Sequence, residues 1–515
     1  MADTTAGATE RIAESTGARV QSATLNAMRI RLLELTFASV EVWSRVWIPR
    51  GLTPSRRAVL VALFAGTAAL ASPAPRPTLP ERLDLQQAIA FALENNFAIR
   101  QARERVRAQE GVVTTVTATA RPTIAASADY QHSEVTTIQT QTGGTPLFVP
   151  VGPSWRMTMT VTQTVLAGGG VRASLRGADL AREAAVLDLQ DVIDGALLDV
   201  RLRFYDVLLA REQIAVEAQN VELLRTQLHY ATARAQAGTI SDFERLRAEV
   251  AVANATVPLI QSQNELRLRV EDLFRALGFV GDRTDSVRKL PEFLGALAFE
   301  PASFDLMAAM TAARTNRPDL RRLEKFVAAR ETGVTVARSR YYPNLVISGG
   351  GELRKGPTDR FRDSSDGLRV GALSRVEVNP RATAGTIIQA NSQLEQARLA
   401  HSEATLAAEV EVRRAYSAIE QSAELANALR QTVGQAEEAV RLATARFEAG
   451  AATQLDVLTA QVMLTKAKTT QIQANHGYNV AVARLRKATG TPDLEYRGSP
   501  ALEQPSAARA GTAPK

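Results

Sequence analysis

The chain contains no cysteine among its 515 residues. This excludes disulfide bonds, thiol chemistry and lipid attachment through an N-terminal cysteine. Aromatic residues are also scarce, at 5% of the chain, although hydrophobic residues make up 45%. A large globular core usually contains more aromatic volume than this. Abundant alanine interleaved with arginine and glutamate instead favours long helices.

Patterns of catalytic and metal-binding residues are missing as well. The four histidines are scattered, and none has a partner at the spacing of a metal site. Two glycine triplets, Gly168–Gly170 and Gly349–Gly351, lack the lysine and the serine or threonine of a phosphate-binding loop. We therefore predict no catalytic residue, no metal, no cofactor and no enzymatic activity. The histidines are His132, His229, His401 and His476.

The formal net charge is +7, which raises the question of a nucleic-acid partner. The arginines and glutamates alternate along the predicted helices instead of forming a basic block. Interspersed charges of this kind are typical of solvated helix faces. We predict no nucleic-acid partner.

Residues 56–71 have the features of an export signal. Arg56 and Arg57 precede an uncharged apolar run that is too short for a transmembrane helix and ends in small residues. A buried helix would also explain the run. Residues 1–55 are then an N-terminal extension of unknown role, or they precede the true start site. After Ser72 no apolar stretch approaches the about 18 residues of a membrane-spanning helix.

The chain repeats itself at a distance of 212 residues, the shift from Gly238 to Gly450. At those glycines the sequence Ala-Thr-Ala-Arg-Ala-Gln-Ala-Gly returns as Ala-Thr-Ala-Arg-Phe-Glu-Ala-Gly. A period of nearly half the chain indicates a duplicated domain. We predict a linker at residues 72–82, a first repeat at 83–278, a linker at 279–303, a second repeat at 304–490 and a disordered tail at 491–515.

Each repeat begins with helical periodicity, over residues 83–119 and 304–339, and then changes to strand periodicity. In the first repeat Trp155, Met157 and Met159 alternate with polar residues. We predict β-hairpins at about 122–166 and 344–378. Strands of roughly 10 residues with one apolar face match membrane β-strands, although a soluble sandwich would alternate in the same way.

Very long helices follow each hairpin. From Gly170 to about Ala237 the chain has no proline, which allows roughly 105 Å of continuous helix. A second helix is predicted from Ser241 to Leu277, with Ser241 as its N-cap and a kink at Pro258. The second repeat predicts the same pair, at about 382–449 and 453–489.

Four strands in one chain cannot close a barrel, and an open strand edge is not tolerated in lipid. Closure requires at least about eight strands. Three chains with four strands each would supply twelve, and their helix pairs would form a matching tube. If the hairpins enter a membrane, a cyclic trimer follows.

This order of elements resembles the outer-membrane factors, the TolC-like exit ducts of Gram-negative bacteria. The resemblance covers residues 83–490 and is strongest at Leu166–Gly170 and at Arg446–Leu458. It implies a mainly α fold with a membrane β-barrel. Duplicated long helical hairpins would form a periplasmic α-barrel, and four strands per protomer would contribute to a twelve-stranded trimeric barrel.

The resemblance also implies a function. The protein would be the outer-membrane channel of a tripartite efflux or type I secretion system, a passive duct gated at its periplasmic tip. Its partners would be two further copies of itself, a periplasmic adaptor protein, an inner-membrane pump and outer-membrane lipid. The alternative is a periplasmic adaptor or coiled-coil scaffold, which would also be exported and rich in helical hairpins.

By resemblance, the turns at Arg234–Gly238 and Arg446–Gly450 form the periplasmic tip and bind the adaptor. The residues that carry this prediction are Arg234, Gly238, Arg446 and Gly450. A glycine at such a turn ends a helix with positive φ and leaves room for another backbone. A simple tight helix–turn–helix would need the same glycines.

Asp456 follows the second turn, and Glu244 holds the same place in the first repeat. In the family an acidic residue here faces the narrowed entrance and favours cations. An ordinary aspartate stabilised by the helix dipole is the alternative for Asp456. The aromatic hydroxyl and the arginine that lock the closed tip in some members are Phe447 and Ala452 here, so the resemblance does not extend to that lock.

Aromatic residues stand at the ends of the predicted strands. Because membrane barrels carry aromatic girdles at both lipid boundaries, we predict that these residues lie at the membrane interface. They are Tyr130, Trp155, Tyr341 and Tyr342.

Overall fold

The computed structural model describes residues 79–133, 152–279, 291–355, 365–376 and 379–491. The predicted export signal, the extension at residues 1–55 and nearly all of the predicted tail lie outside these ranges. None of the helices in the described part of the chain is both long enough and apolar enough to cross a bilayer.

The two repeats contain the same elements in the same order. The first has β1 (Arg82–Leu83), α1 (Leu85–Asn95), α2 (Phe97–Ala118), β2 (Thr123–Ser133), β3 (Gly152–Ala167), α3 (Gly170–Gln236) and α4 (Asp242–Leu277). The second has β4 (Glu292–Phe293), α5 (Leu306–Asn316), α6 (Pro318–Ser339), β5 (Asn344–Lys355), β6 (Ser365–Arg375), α7 (Pro380–Glu448) and α8 (Gln454–Ala488).

The prediction of a single helix at 83–119 and at 304–339 is wrong, because each region contains two helices. Asn96 leaves the helical conformation, and its side-chain oxygen accepts hydrogen bonds from the amides of Ala98 and Ile99, which starts a new helix. In the second repeat Pro318 occupies the first turn of α6 and forces Arg317 into an extended conformation. The proline predicted to kink α4, Pro258, lies inside that helix without ending it.

The helix pairs pack through alanine at heptad spacing. In α8 the buried residues Ala460, Ala467, Ala474, Ala481 and Ala488 recur every seven positions. A seven-residue repeat keeps one seam of a helix against its neighbour, and small residues let the two backbones approach closely. The shortage of aromatic residues therefore has a structural reason. Closely packed long helices need small side chains between them, and large aromatic rings would hold them apart.

Larger side chains are concentrated where the short helices meet the long ones. Phe204 on α3 packs edge-on against Phe293 at a centroid distance of 6.3 Å. Around them lies the largest buried cluster of the described residues, built from α1, α3, α4 and the segment after β4. A smaller cluster around Val412 and Tyr478 takes the corresponding place in the second repeat.

One glycine in each repeat allows this packing. Gly278 ends α4 with φ +74°, and a Cβ there would lie 2.3 Å from the carbonyl oxygen of Asn95. Gly490, which lies 212 positions further along, has φ +62° and would place its Cβ 2.8 Å from the Arg317 amide nitrogen. At both positions glycine allows a positive φ. It also lets the chain lie directly against the backbone at the break between the two short helices.

The four long strands form one antiparallel sheet in the order β2-β3-β5-β6. One face carries apolar side chains such as Ile124, Met159 and Val370, which are 63%, 55% and 74% exposed. The opposite face is polar, and there the hydroxyl groups of Ser127 and Thr158 share a hydrogen bond of 2.7 Å. The strand predicted to reach Val378 ends at Arg375, and Val378 lies outside the described residues.

The segment predicted as a linker, residues 279–303, is described from residue 291. This part forms hydrogen bonds with both repeats. Strand β4 pairs in parallel with β1. The Arg211 side chain on α3 donates to the carbonyls of Phe293 and Gly295. The Tyr478 hydroxyl on α8 donates to the Glu300 carbonyl at 3.0 Å and accepts from the Ala302 amide. This segment therefore joins α3 of one repeat to α8 of the other.

We predict that Gly278→Ala destabilises the fold by about 2–4 kcal/mol, because alanine meets both the left-handed backbone and the Asn95 carbonyl. Gly434→Ala, in the middle of α7 with open space around it, is the matched control and should be neutral or stabilising by about 0.5–1 kcal/mol. Thermal unfolding followed by circular dichroism checks both. Equal midpoints for the two variants would contradict the packing role of Gly278.

Candidate functional site at the helix tips

The two tip turns have the same hydrogen-bonded geometry. Gly238 and Gly450 have φ values of +70° and +74°. In each turn an amide after the glycine donates back to the helix, from Thr239 to the Arg234 carbonyl at 2.9 Å and from Ala451 to the Arg446 carbonyl at 2.8 Å. These bonds are those of a helix C-terminal cap. A Cβ on either glycine would meet no atom within 4 Å, so the turns need glycine for conformation, and the space beside them is open.

The tips of the two repeats contact each other. The Arg234 guanidinium lies over the Phe447 ring, 5.5 Å from its centroid. Phe447 thus stacks under a cation of the opposite repeat. A cleft of about 850 Å³ separates the helix pairs here, and Tyr230, Ile240 and Glu244 also line it.

Two glutamines that line this cleft have buried side-chain oxygens without a hydrogen-bond partner among the described residues. They are Gln227 on α3 and Gln461 on α8, and Gln461 is only 3% exposed. An unpaired buried acceptor costs free energy, typically about 1–3 kcal/mol.

Asp456 is held by the cap of its own helix. Its carboxylate accepts from the Thr453 amide and from the Thr453 hydroxyl, both at 2.8 Å, and the Thr453 hydroxyl oxygen accepts from the Asp456 amide at 3.4 Å. The backbone bond from Thr453, followed by the hydroxyl bond, lowers the pKa of the Asp456 carboxyl. The exposed carboxylate therefore stays charged, and it combines a capping role with a negative charge at the tip.

Glu244 differs from Asp456 although the repeat aligns them. The Ser241 hydroxyl oxygen accepts from the Glu244 amide at 3.4 Å, and the described structure has no return bond from the amide of Ser241 to the Glu244 carboxylate. Glu244 instead lines the cleft beside Arg234. At the tip, the Asp456 carboxylate is therefore held by its helix cap, whereas the Glu244 carboxylate is not.

The predicted interfacial aromatics lie at opposite ends of the sheet. Tyr130 and Trp155 are direct partners across β2 and β3. Tyr341 and Tyr342 precede β5 at the other end and are 51% and 60% exposed. The four residues therefore lie at two levels of the sheet, and their place at the membrane interface stays a prediction.

A partly buried ionic cluster lies within the second repeat, far from the tips. The Arg317 guanidinium donates to Asp319 at 2.8 Å, to Glu411 at 2.7 Å and to the Ala488 carbonyl at 3.2 Å. Beside it on α3, burial followed by repulsion from Asp191 raises the pKa of Asp194 to about 6. Paired charges of this kind fix one packing of the helices.

Sequence reasoning missed Phe447, Gln461 and Arg317 as interacting residues. From the sequence, Phe447 is notable only because it lacks the hydroxyl group present in some family members. Its contact with Arg234 depends on how two helix pairs, distant in sequence, pack together. Gln461 carried a usable signal, because it stands next to the alanine seam and is a polar residue on a face that is otherwise buried.

The profile of the outer membrane efflux protein family matches residues 88–279 and 309–491. These two matches fall on the two repeats and together cover well over half of the chain.

Curated relatives are similar at lower identity. Protein CyaE of Bordetella pertussis is 26% identical over 319 residues, which are 61% of this chain and 63% of CyaE, so the match spans less than two thirds of that protein. The cobalt-zinc-cadmium resistance protein CzcC of Cupriavidus metallidurans is 25% identical over 387 residues, 75% of this chain and 85% of CzcC.

Solved structures share the fold. The outer-membrane channel OprN matches with a TM-score of 0.68 and 20% identity, over 79% of this chain and 90% of OprN. The CmeC outer-membrane channel of Campylobacter jejuni matches with a TM-score of 0.69 and 15% identity, over 79% of this chain and 85% of CmeC.

Proposed function

Since the chain belongs to the outer membrane efflux protein family, we propose that three copies of it form one closed exit duct with a gate at the helix tips. The family places the protein in the outer membrane with its helices extending into the periplasm, as an efflux or export channel without enzymatic activity. The trimer, the barrel, the gate and the protein partners are the proposed part.

The single observation that carries assembly with further copies is the open sheet. Strands β2 and β6 form its two edges, and no described strand pairs with either outer edge. The apolar face is exposed, with Leu368 of β6 at 84%. In lipid every backbone donor and acceptor needs a partner, so the sheet must be closed by other chains. Twelve strands from three copies satisfy both edges.

Exposed apolar residues on the long helices support the same assembly. On α4 the residues Phe243, Leu246, Val250, Val257 and Ile260 are each half exposed or more, at coiled-coil spacing. A seam like this, left uncovered in one chain, is completed by a helix of a neighbouring copy. On α7 the exposed residues Leu399 and Leu406 also stand seven positions apart.

We further propose that the tips receive a periplasmic adaptor protein, which connects the duct to an inner-membrane pump. The support is the open space beside Gly238 and Gly450 and the adjoining cleft between the helix pairs. Arg234 and Arg446 shape these turns through their backbone carbonyls.

In the proposed entrance Asp456 and Glu244 would contribute a ring of carboxylates, which favours cations. The alternative function, a periplasmic adaptor or scaffold, has no support in the family match, which covers both repeats and the strand hairpins.

We predict that membrane fractionation recovers the protein with the detergent-extracted outer membrane, as an oligomer with the mass of a trimer that dissociates on heating. The closed sheet provides the reason, because separating the copies would expose strand edges to lipid. Gel migration with and without heating measures this. Recovery as a water-soluble periplasmic monomer would contradict the duct.

We predict that Asp456→Ala lowers the cation preference of the channel in planar bilayers, because it removes a negative charge from the entrance. Thr453→Val is the control, since it weakens the helix cap and keeps the carboxylate. If both variants change selectivity alike, the cap is responsible. If neither does, Asp456 does not face the ion path.

A further inference from the structure

Seven arginines surround the junction where the sheet meets the helices, here called the sheet–helix junction. They lie at or just beyond the C-terminal ends of α2 and α6, in the first turns of α3 and α7, and at the end of β6. Each is within about two helical turns of a strand end. All seven are exposed. They are Arg121, Arg172, Arg176, Arg338, Arg340, Arg375 and Arg381.

Contacts place these helix ends at one end of the sheet. The Arg340 side chain on the α6 side donates to the Thr386 hydroxyl on α7 at 3.4 Å. The Gln163 amide on β3 donates to the Ala120 carbonyl after α2 at 3.1 Å. Gly170, the first residue of α3, packs so closely on Ser339 that a Cβ would lie 2.4 Å from its hydroxyl oxygen. The seven arginines therefore lie around one level of the molecule.

None of the seven is ion-paired with a described residue. Elsewhere on the helices arginines meet carboxylates, for example Arg105 with Asp188 at 3.4 Å and Arg398 with Glu331 at 3.1 Å. The reason lies in the sequence. Residues 111–128, 157–178, 332–351 and 370–394 contain all seven arginines, no lysine and a single acidic residue, Glu377, which lies outside the described residues.

Other copies of the chain cannot neutralise this charge. In a symmetric assembly each level of one chain lies beside the same level of the next, and that level is almost free of carboxylates in every copy. The described residues therefore leave this charge available to another kind of molecule.

The neighbouring residues indicate which kind. Tyr341 and Tyr342 are half exposed or more beside Arg340, and the apolar face of the sheet begins immediately beyond them with Leu345 and Ile347. Tyrosine followed by apolar surface is typical of the boundary between headgroups and hydrocarbon. Phosphate is the group that a cluster of unpaired guanidinium ions binds best, through paired hydrogen bonds.

We propose that the seven arginines form a belt that binds the phosphate groups of anionic phospholipids in the periplasmic leaflet of the outer membrane. The proposal rests on the proposed function, because it needs the sheet to be inserted in that membrane. The belt fixes the depth of the channel, holding the sheet–helix junction at the headgroups while the helices stay in water.

The absence of native cysteine gives a clean test. The full chain carrying Tyr341→Cys is labelled with a fluorophore and placed in phosphatidylcholine nanodiscs that contain brominated phosphatidylglycerol or brominated phosphatidylcholine. We expect both lipids to quench the label, and phosphatidylglycerol to bind about five-fold more tightly or better, as an arginine near an anionic surface predicts. Arg338→Gln with Arg340→Gln should remove most of this preference.

The matched control is Arg105→Gln with Arg398→Gln, which changes the net charge equally but lies on paired arginines further along the helices. It should leave the preference unchanged. The belt is contradicted if the protein with all seven arginines binds the two lipids equally, or if the control variant loses the preference for phosphatidylglycerol to the same extent. Either result leaves the proposed membrane insertion standing. If neither lipid quenches the label, the junction does not reach the bilayer, and the proposed membrane insertion fails together with the belt.

Discussion

The structure depends on one constraint, the hydrogen-bonding demand of the backbone at the two edges of a four-stranded sheet. In water an exposed edge is satisfied by solvent, but in hydrocarbon it is not. The sheet carries an exposed apolar face and open edges at β2 and β6, so a single chain is incomplete in a membrane. The duplication, the long helices and the exposed helix seams all become consistent once further copies complete the sheet.

The duplicated sequence provides two near-equivalent halves that differ where they meet. Gly278 and Gly490 repeat the same backbone contact, and the alanine seam of α8 is echoed by Ala248 and Ala255 of α4. At the tips the halves diverge, since Asp456 is bound by its cap and Glu244 lines the cleft. This asymmetry gives the tips of the two repeats different surfaces, which the proposed gate and the proposed adaptor contact would use.

Much of the fold could be predicted from the sequence because its signals are local. The shift of 212 residues, the alternation around Met157 and the glycines after the long helices each specify an element without tertiary information. The break at Asn96 was missed because a capping asparagine can stand within an apolar periodic run. The contact of Arg234 with Phe447 and the ion pair of Arg317 with Glu411 could not be predicted, since both depend on how segments more than 90 residues apart pack.

The most direct test of the account is disulfide cross-linking of the sheet edges between copies, in a chain that has no cysteine of its own. Ala126→Cys on β2 is combined in turn with Leu368→Cys, Val370→Cys and Ala372→Cys on β6, and Ala126→Cys with Met159→Cys, a register pair within one chain, is the control. The account predicts covalent trimers for one or more of the three edge pairs. Monomers in all three, while the control pair forms its internal disulfide, would contradict the closed sheet.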